Sequence, residues 1–313
     1  MMPVPSERLR GALQRLAAGA GPGGETEARP QPRPKARGFG GGSEMMTAAG
    51  PVYLLKRCRR GTFALPGIDR LAEQLTWVRG LGPATARRLR QAGLKRIAEL
   101  ADHPRFGPSA RRLSAALAAR DVAALRDSGA APWELLPAFS PEEMLFLDVE
   151  TAGFARALPL FIAGVAWWSN GEWHLSQFLA RTFDEERALL VALLEIAGRF
   201  PVIVSYNGRA FDEPFVRARL AHHRLAVPTF RLHADLLPPT RRLFGRSLPD
   251  CRLATVAAAL LGRTGGPAID GEEIGARYYE FVMSQEPLCI GPILARNADD
   301  VFTLTELARR IFR

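Results

Sequence analysis

The sequence is poor in cysteine, in aromatic residues and in long apolar runs. Its three cysteines, Cys58, Cys251 and Cys289, lie far apart and form no Cys-x-x-Cys pair. That excludes a disulfide framework and a cysteine zinc site, and it predicts a reducing, cytoplasmic setting. The longest apolar stretch, Leu158 to Trp168, has 11 residues. A bilayer-spanning helix needs about 20, so no membrane partner is expected. The N-terminus holds no apolar segment of the secretory type, which predicts no signal peptide. Apolar residues at 47% and charged residues at 24% describe an ordinary globular chain. At 313 residues it has room for about two domains.

Acidic residues are scarce in the first part of the chain. Residues 1–140 contain 23 Lys and Arg against 11 Asp and Glu, whereas residues 141–313 contain 19 against 21. The whole excess of the +10 net charge therefore sits before residue 141. This asymmetry points to a polyanion such as nucleic acid, or else to a solvated basic tail. Carboxylates do not attract phosphates. If the acidic part handles nucleic acid, it needs metal ions to do so.

Residues 1–50 hold 10 Gly and 6 Pro, with Phe39 as the lone aromatic. They offer little apolar surface against ordering entropy and predict a disordered basic Gly/Pro-rich tail. Residues 51–135 predict a helical module, with residues 51–68 open to a short hairpin. Within it, Gly80-Leu81-Gly82-Pro83 separates two helical stretches, and Pro83 is suited to a first helical position. Glycines there let backbone approach a phosphate, and amides at the next helix start can donate to it. Arg79, Arg87, Arg88, Arg90, Lys95 and Arg96 add sequence-independent attraction. The segment resembles a helix-hairpin-helix, which implies that Gly80, Gly82, Arg79, Arg87, Arg88 and Lys95 bind nucleic acid. An ordinary helical hairpin is the plainer alternative.

From residue 141 to 313 the periodicity changes. Met144–Leu147 is a short buried-strand run, and Leu160–Trp168 and Glu172–Leu179 flank Asn170-Gly171, a strong hairpin signal. Helices are expected over 185–197, 213–222, 253–261 and 292–311, with a strand at 202–205. Strands followed by alternating helix and strand predict an α/β domain with a mixed central sheet, preceded by a smaller all-α module.

Asp148 and Glu150 end the first of these strands, and their i, i+2 spacing puts both carboxylates on one face. Two such groups repel unless a cation lies between them, and oxygen ligands suit Mg²⁺ or Mn²⁺. Acidic pairs also occur in solvated turns. Asp212 follows a Gly-containing turn and could serve only as a helix cap. Asp300 lies four residues before the apolar Leu304, which turns it toward the buried face of the last helix, with Asp299 about 100° away. Four such carboxylates can hold two metals ~3.5–4 Å apart for phosphodiester hydrolysis.

Five segments carry a resemblance: Phe146-Leu147-Asp148-Val149-Glu150-Thr151, Tyr206-Asn207-Gly208-x-x-Phe211-Asp212, His233-Ala234-Asp235-Leu236-Leu237, Ile269-Asp270-Gly271 and Asn297-x-x-Asp300-Val301. Residues 144–312 resemble the ribonuclease-H-like exonucleases with a DEDD acidic core, in the YprB-type branch. The resemblance implies a ribonuclease-H-like fold, two Mg²⁺ or Mn²⁺ ions, and 3′–5′ exonuclease action on DNA or RNA. It implies that Asp148, Glu150, Asp212 and Asp300 are the metal ligands and that Asn207 and Phe211 shape the substrate cleft. His233 and Asp235 read as mainly structural, and His222 and His223 as surface residues.

One position departs from the family. Where it has His or Tyr, four residues before the last Asp, this chain has Arg296. Arginine stays protonated and cannot act as a base, but it can bind a phosphate. The sequence therefore also admits a nucleic-acid-binding protein with weakened chemistry, or an integrase- or resolvase-type enzyme on the same fold.

Overall fold

A computed structural model describes residues 39–263, 269 and 271–312. The expected tail therefore lies outside the described residues up to residue 38, as does Asp270.

A seven-stranded mixed sheet organises the chain. Its strands are β1 (Ser43–Thr47), β2 (Gly50–Arg60), β3 (Met144–Thr151), β4 (Leu160–Ser169), β5 (Glu172–Leu179), β6 (Val202–Ser205) and β7 (Leu232–Asp235), in the spatial order β1-β2-β5-β4-β3-β6-β7. From β1 to β3 all neighbours are antiparallel, whereas β3, β6 and β7 are parallel. The β4–β5 turn has Asn170 and Gly171 at φ 52° and 79°. Both are left-handed, as a two-residue hairpin matched to strand twist requires.

Helices α1 (Pro83–Gln91), α2 (Gly107–Ala118) and α3 (Val122–Asp127) precede β3, and α4 (Glu186–Ala197) and α5 (Asp212–His222) follow β5 and β6. Then come α6 (Leu237–Phe244), α7 (Leu253–Leu261), α8 (Gly271–Ser284) and α9 (Pro287–Ile311). No helix among the described residues is long and apolar enough to cross a membrane.

Three expectations change. The segment expected as tail contributes β1, and the segment expected as helical from residue 51 opens with β2. Val52–Leu55 is buried in the sheet, while Lys56–Arg60 is exposed beyond the reach of β1. Its charges blunt that open edge against further pairing. Second, residues 68–77 form 3₁₀ turns in place of α-helix, interrupted where Gln74 adopts φ −81°, ψ 67°. Third, β7, α6 and α8 are additional to the expected elements, and α9 begins five residues before the expected start, at Pro287. Proline suits that first position, where its missing N–H has no helical partner.

Apolar cores cover both faces of the sheet. One face packs Leu189 and Leu193 of α4 on Leu145 and Val165. The other joins Val301 and Leu304 of α9 to Phe146 and then to the helical residues Leu75, Ile97 and Leu113. Phe63 links them, with its ring 5.7 Å from Phe146 and 4.9 Å from Trp173, edge to face.

Candidate metal centre

β3 is the strand where the chain reverses its spatial progress: β4 lies on one side of it and β6 on the other. Crevices at the carboxyl ends of strands at such a switch point are the usual ligand sites of open α/β sheets. Asp148 and Glu150 stand there on one face of β3. Glu150 is 8% exposed, and a register shift follows it at Thr151. α9 crosses the same face and brings in Asp300. One carboxylate oxygen from each of Asp148, Glu150 and Asp300 lies within 4.8 Å of the others. Asp299 is exposed, turned about 100° from Asp300 around α9.

Asp212 opens α5 and is 6% exposed. It lies outside that three-residue cluster but close enough for its charge to act on Asp148 and Glu150. The backbone amides of Val149 and of its own residue favour its charged form. It is the first residue of α5, whose N-cap is Phe211 with no side-chain cap hydrogen bond, and the Val149 amide links it to β3.

The electrostatics of the cluster are unfavourable without a cation. Burial pushes Asp148 well above the usual carboxylate range, and Asp300, Glu150 and Asp212 add repulsion. Burial raises Glu150 to about 7; Arg296 opposes this, while Asp300 and Asp212 reinforce it. Asp212 is raised to about 7 by burial and then by Asp235. Burial also raises Asp300, against the pull of Arg296. Carboxyls crowded this way hold protons near neutrality or else share a cation.

Arg296 lies at the rim. Its Nε donates to Asp300 Oδ2 at 3.4 Å and its Nη1 to the Ile269 carbonyl at 2.9 Å. The residue that replaces the expected base therefore leans on a candidate ligand.

A second layer fixes Asp148. Asn297, fully buried on α9, donates from Nδ2 to Asp148 Oδ2 at 2.8 Å and to the Asp148 carbonyl at 3.2 Å. Gln177 on β5 donates from Nε2 to Asn297 Oδ1 at 2.8 Å and to the Leu294 carbonyl at 2.8 Å. Asp148, Gly164 and Gln177 share one row across β3, β4 and β5. Asn297 lies over the middle of that row because Gly164 has no side chain. A Cβ there would collide with Asn297 Oδ1 and stand 2.9 Å from its Cγ. Gly275 of α8 likewise lets that helix approach the Ala152 carbonyl just beyond Glu150. In the sequence Asn297 stands in a motif without a role of its own, and Gln177, Gly164 and Gly275 stand in none. A glycine inside an apolar strand was the available signal for close approach.

The other predicted residues are spread out. Asn207 is exposed, in a left-handed turn at φ 59°. Phe211 is half-buried, 6.2 Å from the ring of Phe154, which is 70% exposed. The aromatic residues Tyr278 and Phe281 are buried core. His222 is exposed, whereas His223, expected at the surface, hydrogen-bonds from Nε2 to the buried Glu186 at 2.8 Å. Arg79, Gly80, Gly82, Arg87, Arg88 and Lys95 are exposed on the helical module, and none belongs to the carboxylate cluster. Gly80 has φ 78°, a left-handed value that favours glycine, and Gly82 caps α1. They border a groove of about 840 Å³ with Arg79, Ser109 and Arg112.

A family model described as the RNase_H superfamily matches residues 145–312. YprB of Bacillus subtilis strain 168 is 30% identical over 174 residues, 54% of this chain and 42% of its own length. DNA polymerase 1 of Aeropyrum pernix is 37% identical over 102 residues, 26% of this chain and 10% of its own. Among solved structures, the family B DNA polymerase of Pyrobaculum calidifontis matches with a TM-score of 0.45 at 20% identity, over 55% of this chain and 25% of that one. The chain thus spans less than half the length of the curated relatives it matches.

Proposed function

The chain belongs to the RNase H superfamily, and on that premise we propose that it is a metal-dependent nuclease hydrolysing phosphodiester bonds. The observation that carries this reading is the buried cluster of Asp148, Glu150 and Asp300. Its donors are all hard oxygens and their protonation is strained, which fits Mg²⁺ or Mn²⁺ better than a soft-ligand metal. Asp212 supplies the fourth carboxylate, for a pair of ions. Such ions, when bound, polarise the phosphoryl group and generate a nucleophile from water.

The chain's own residues do the rest. Asn297 orients Asp148. Arg296 offers a guanidinium at the rim that can meet a phosphate oxygen once released from Asp300, and such a contact stabilises charge developing in the transition state. The exposed Phe154, in the segment after β3, meets Phe211 edge to face, so this aromatic pair can stack an unpaired terminal base, and Asn207 anchors the turn that leads to Phe211. Exonuclease action of 3′–5′ polarity rests on the resemblance of the acidic motifs. The exposed glycine turn and arginines of the helical module hold the backbone of DNA or RNA without reading sequence. The Aeropyrum relative is a DNA polymerase, so DNA is the first substrate to try. The free thiols of Cys58, Cys251 and Cys289 suit a reducing, cytoplasmic compartment.

End-labelled single-stranded DNA and RNA with Mn²⁺ or Mg²⁺, comparing wild type with Asp148→Ala, is the direct test. Metal-dependent laddering from one end that the substitution abolishes is expected. The contact of Arg296 with Asp300 favours a second reading, a nucleic-acid-binding protein with reduced chemistry. Wild type that binds the strands without cutting them selects it. Arg296→His then separates the roles: a raised rate means the site lacks a base, and an unchanged or lower rate assigns Arg296 to the phosphate.

A further inference from the structure

We infer that His233 on β7 is a positioning residue for Asp212, acting through Glu213 and Ser205. The inference rests on Asp212 being a metal ligand, as proposed above. β6 and β7 run parallel and end together, with Ser205 opposite Asp235. His233 Nε2 lies 2.8 Å from Ser205 Oγ, and its Nδ1 lies 2.8 Å from Glu213 Oε2. Glu213 follows Asp212 directly. A carboxylate only accepts, so Nδ1 donates to Glu213 and Nε2 accepts the Ser205 hydroxyl proton. One imidazole thus joins the end of β6 to the first turn of α5.

The intervening turn is clamped at its other side by Asp235. That carboxylate accepts from the amide of Asn207 at 2.8 Å, of Leu237 at 3.0 Å and of Arg209 at 3.3 Å. Between the clamps, Gly208 is pinched. A Cβ on it would stand 2.6 Å from Ser205 Cβ and 2.8 Å from Asp212 Oδ2. Asp235 fixes the backbone that enters the turn. His233 fixes the backbone that leaves it, where Asp212 is aimed at β3. The order Ser–His–Glu matches a nucleophilic triad, but Ser205 is fully buried and Gly208 closes over its hydroxyl. With that hydroxyl out of solvent and committed to His233, the linkage holds geometry.

Groups that orient metal ligands typically change metal affinity ~10–100-fold when removed. The test is Mn²⁺ titration by calorimetry on the full chain, with thermal melts in parallel, for wild type, His233→Ala, His233→Asn and Asp148→Ala. Asparagine places a donor amide where Nδ1 was and can still reach Glu213; alanine cannot. The expected result is a loss of Mn²⁺ affinity of roughly 10–100-fold in His233→Ala, with most of it regained in His233→Asn. A lowered melting temperature with wild-type Mn²⁺ affinity would overturn the inference, because a merely structural residue behaves that way. Should His233→Ala not fold, Glu213→Ala on the surface of α5 answers the same question: reduced affinity is expected, and unchanged affinity overturns the proposal. Failure of wild type to bind Mn²⁺ would overturn the metal reading itself, and this one with it.

Discussion

Replacing Gly164 by alanine tests the second layer of the metal centre with one methyl group. The added Cβ would collide with Asn297 Oδ1 and stand 2.9 Å and 3.0 Å from its Cγ and Nδ2. Asn297 has no room to yield. It is fully buried, with Nδ2 bound to Asp148 and Oδ1 to Gln177. Either α9 lifts from the sheet or the amide leaves Asp148. Overpacking of this kind costs ~1–3 kcal/mol. Leaving the buried Asp148 and Asn297 groups unpaired costs ~1–3 kcal/mol if the amide swings away. The two routes are alternatives, so the expected destabilisation is about 1–3 kcal/mol, with Mn²⁺ affinity reduced ~10-fold or more because Asp148 loses its orientation. Urea denaturation of the apo chain and Mn²⁺ calorimetry measure the two quantities. Gly291→Ala on α9 is the control. It meets nothing within 4 Å, and alanine there should stabilise by ~0.5–1 kcal/mol. Combining Gly164→Ala with Asn297→Ala should cost less than the two singles together, since the clash disappears with its partner. Wild-type stability and wild-type Mn²⁺ affinity in Gly164→Ala would refute the reasoning.

Apo stability should fall as pH rises from about 4.5 to about 7. Over that window the folded chain keeps the proton on Glu150, raised to about 7, while the unfolded chain loses it, so the native state binds more protons and the slope is negative. Thermal melts across pH read this, and saturating Mn²⁺ should flatten the curve; stability rising with pH in the apo chain would contradict the crowding. Arg219→Met should destabilise by ~3–5 kcal/mol, because it strands Glu186, 2% exposed and 2.6 Å from the guanidinium, in the core. A urea midpoint close to wild type would show that His223 or solvent compensates. Charge removal at Arg87, Arg88 and Lys95 should weaken single-strand binding and lower the salt slope by about 0.7 for each phosphate left unneutralised. Fluorescence anisotropy at several salt concentrations checks it, and an unchanged slope would place the nucleic acid elsewhere.

Local sequence settled whatever depends on neighbours along the chain. The Asn170-Gly171 turn, the strands it joins and the run into Asp148 and Glu150 follow from side-chain period and turn chemistry, and the structure has them. The side of α9 that carries Asp300 was also legible, because four residues separate it from Leu304. Only the tertiary structure decided what meets across elements. Nothing near Gln177, Gly164 or Asn297 in the sequence says that one row of the sheet places the first two beneath the third. Strand order and register set that, and they emerge from packing summed over the whole chain. For the same reason β2 was only partly legible, as a possible short hairpin within a module expected to be helical. Its basic half, Lys56–Arg60, has no alternating apolar pattern, and it became a strand because β5 pairs with it. His233 is the sharpest instance. By sequence it is one histidine in a matched motif, read as mainly structural; the parallel ending of β6 and β7 makes it the link between Ser205 and the turn that aims Asp212.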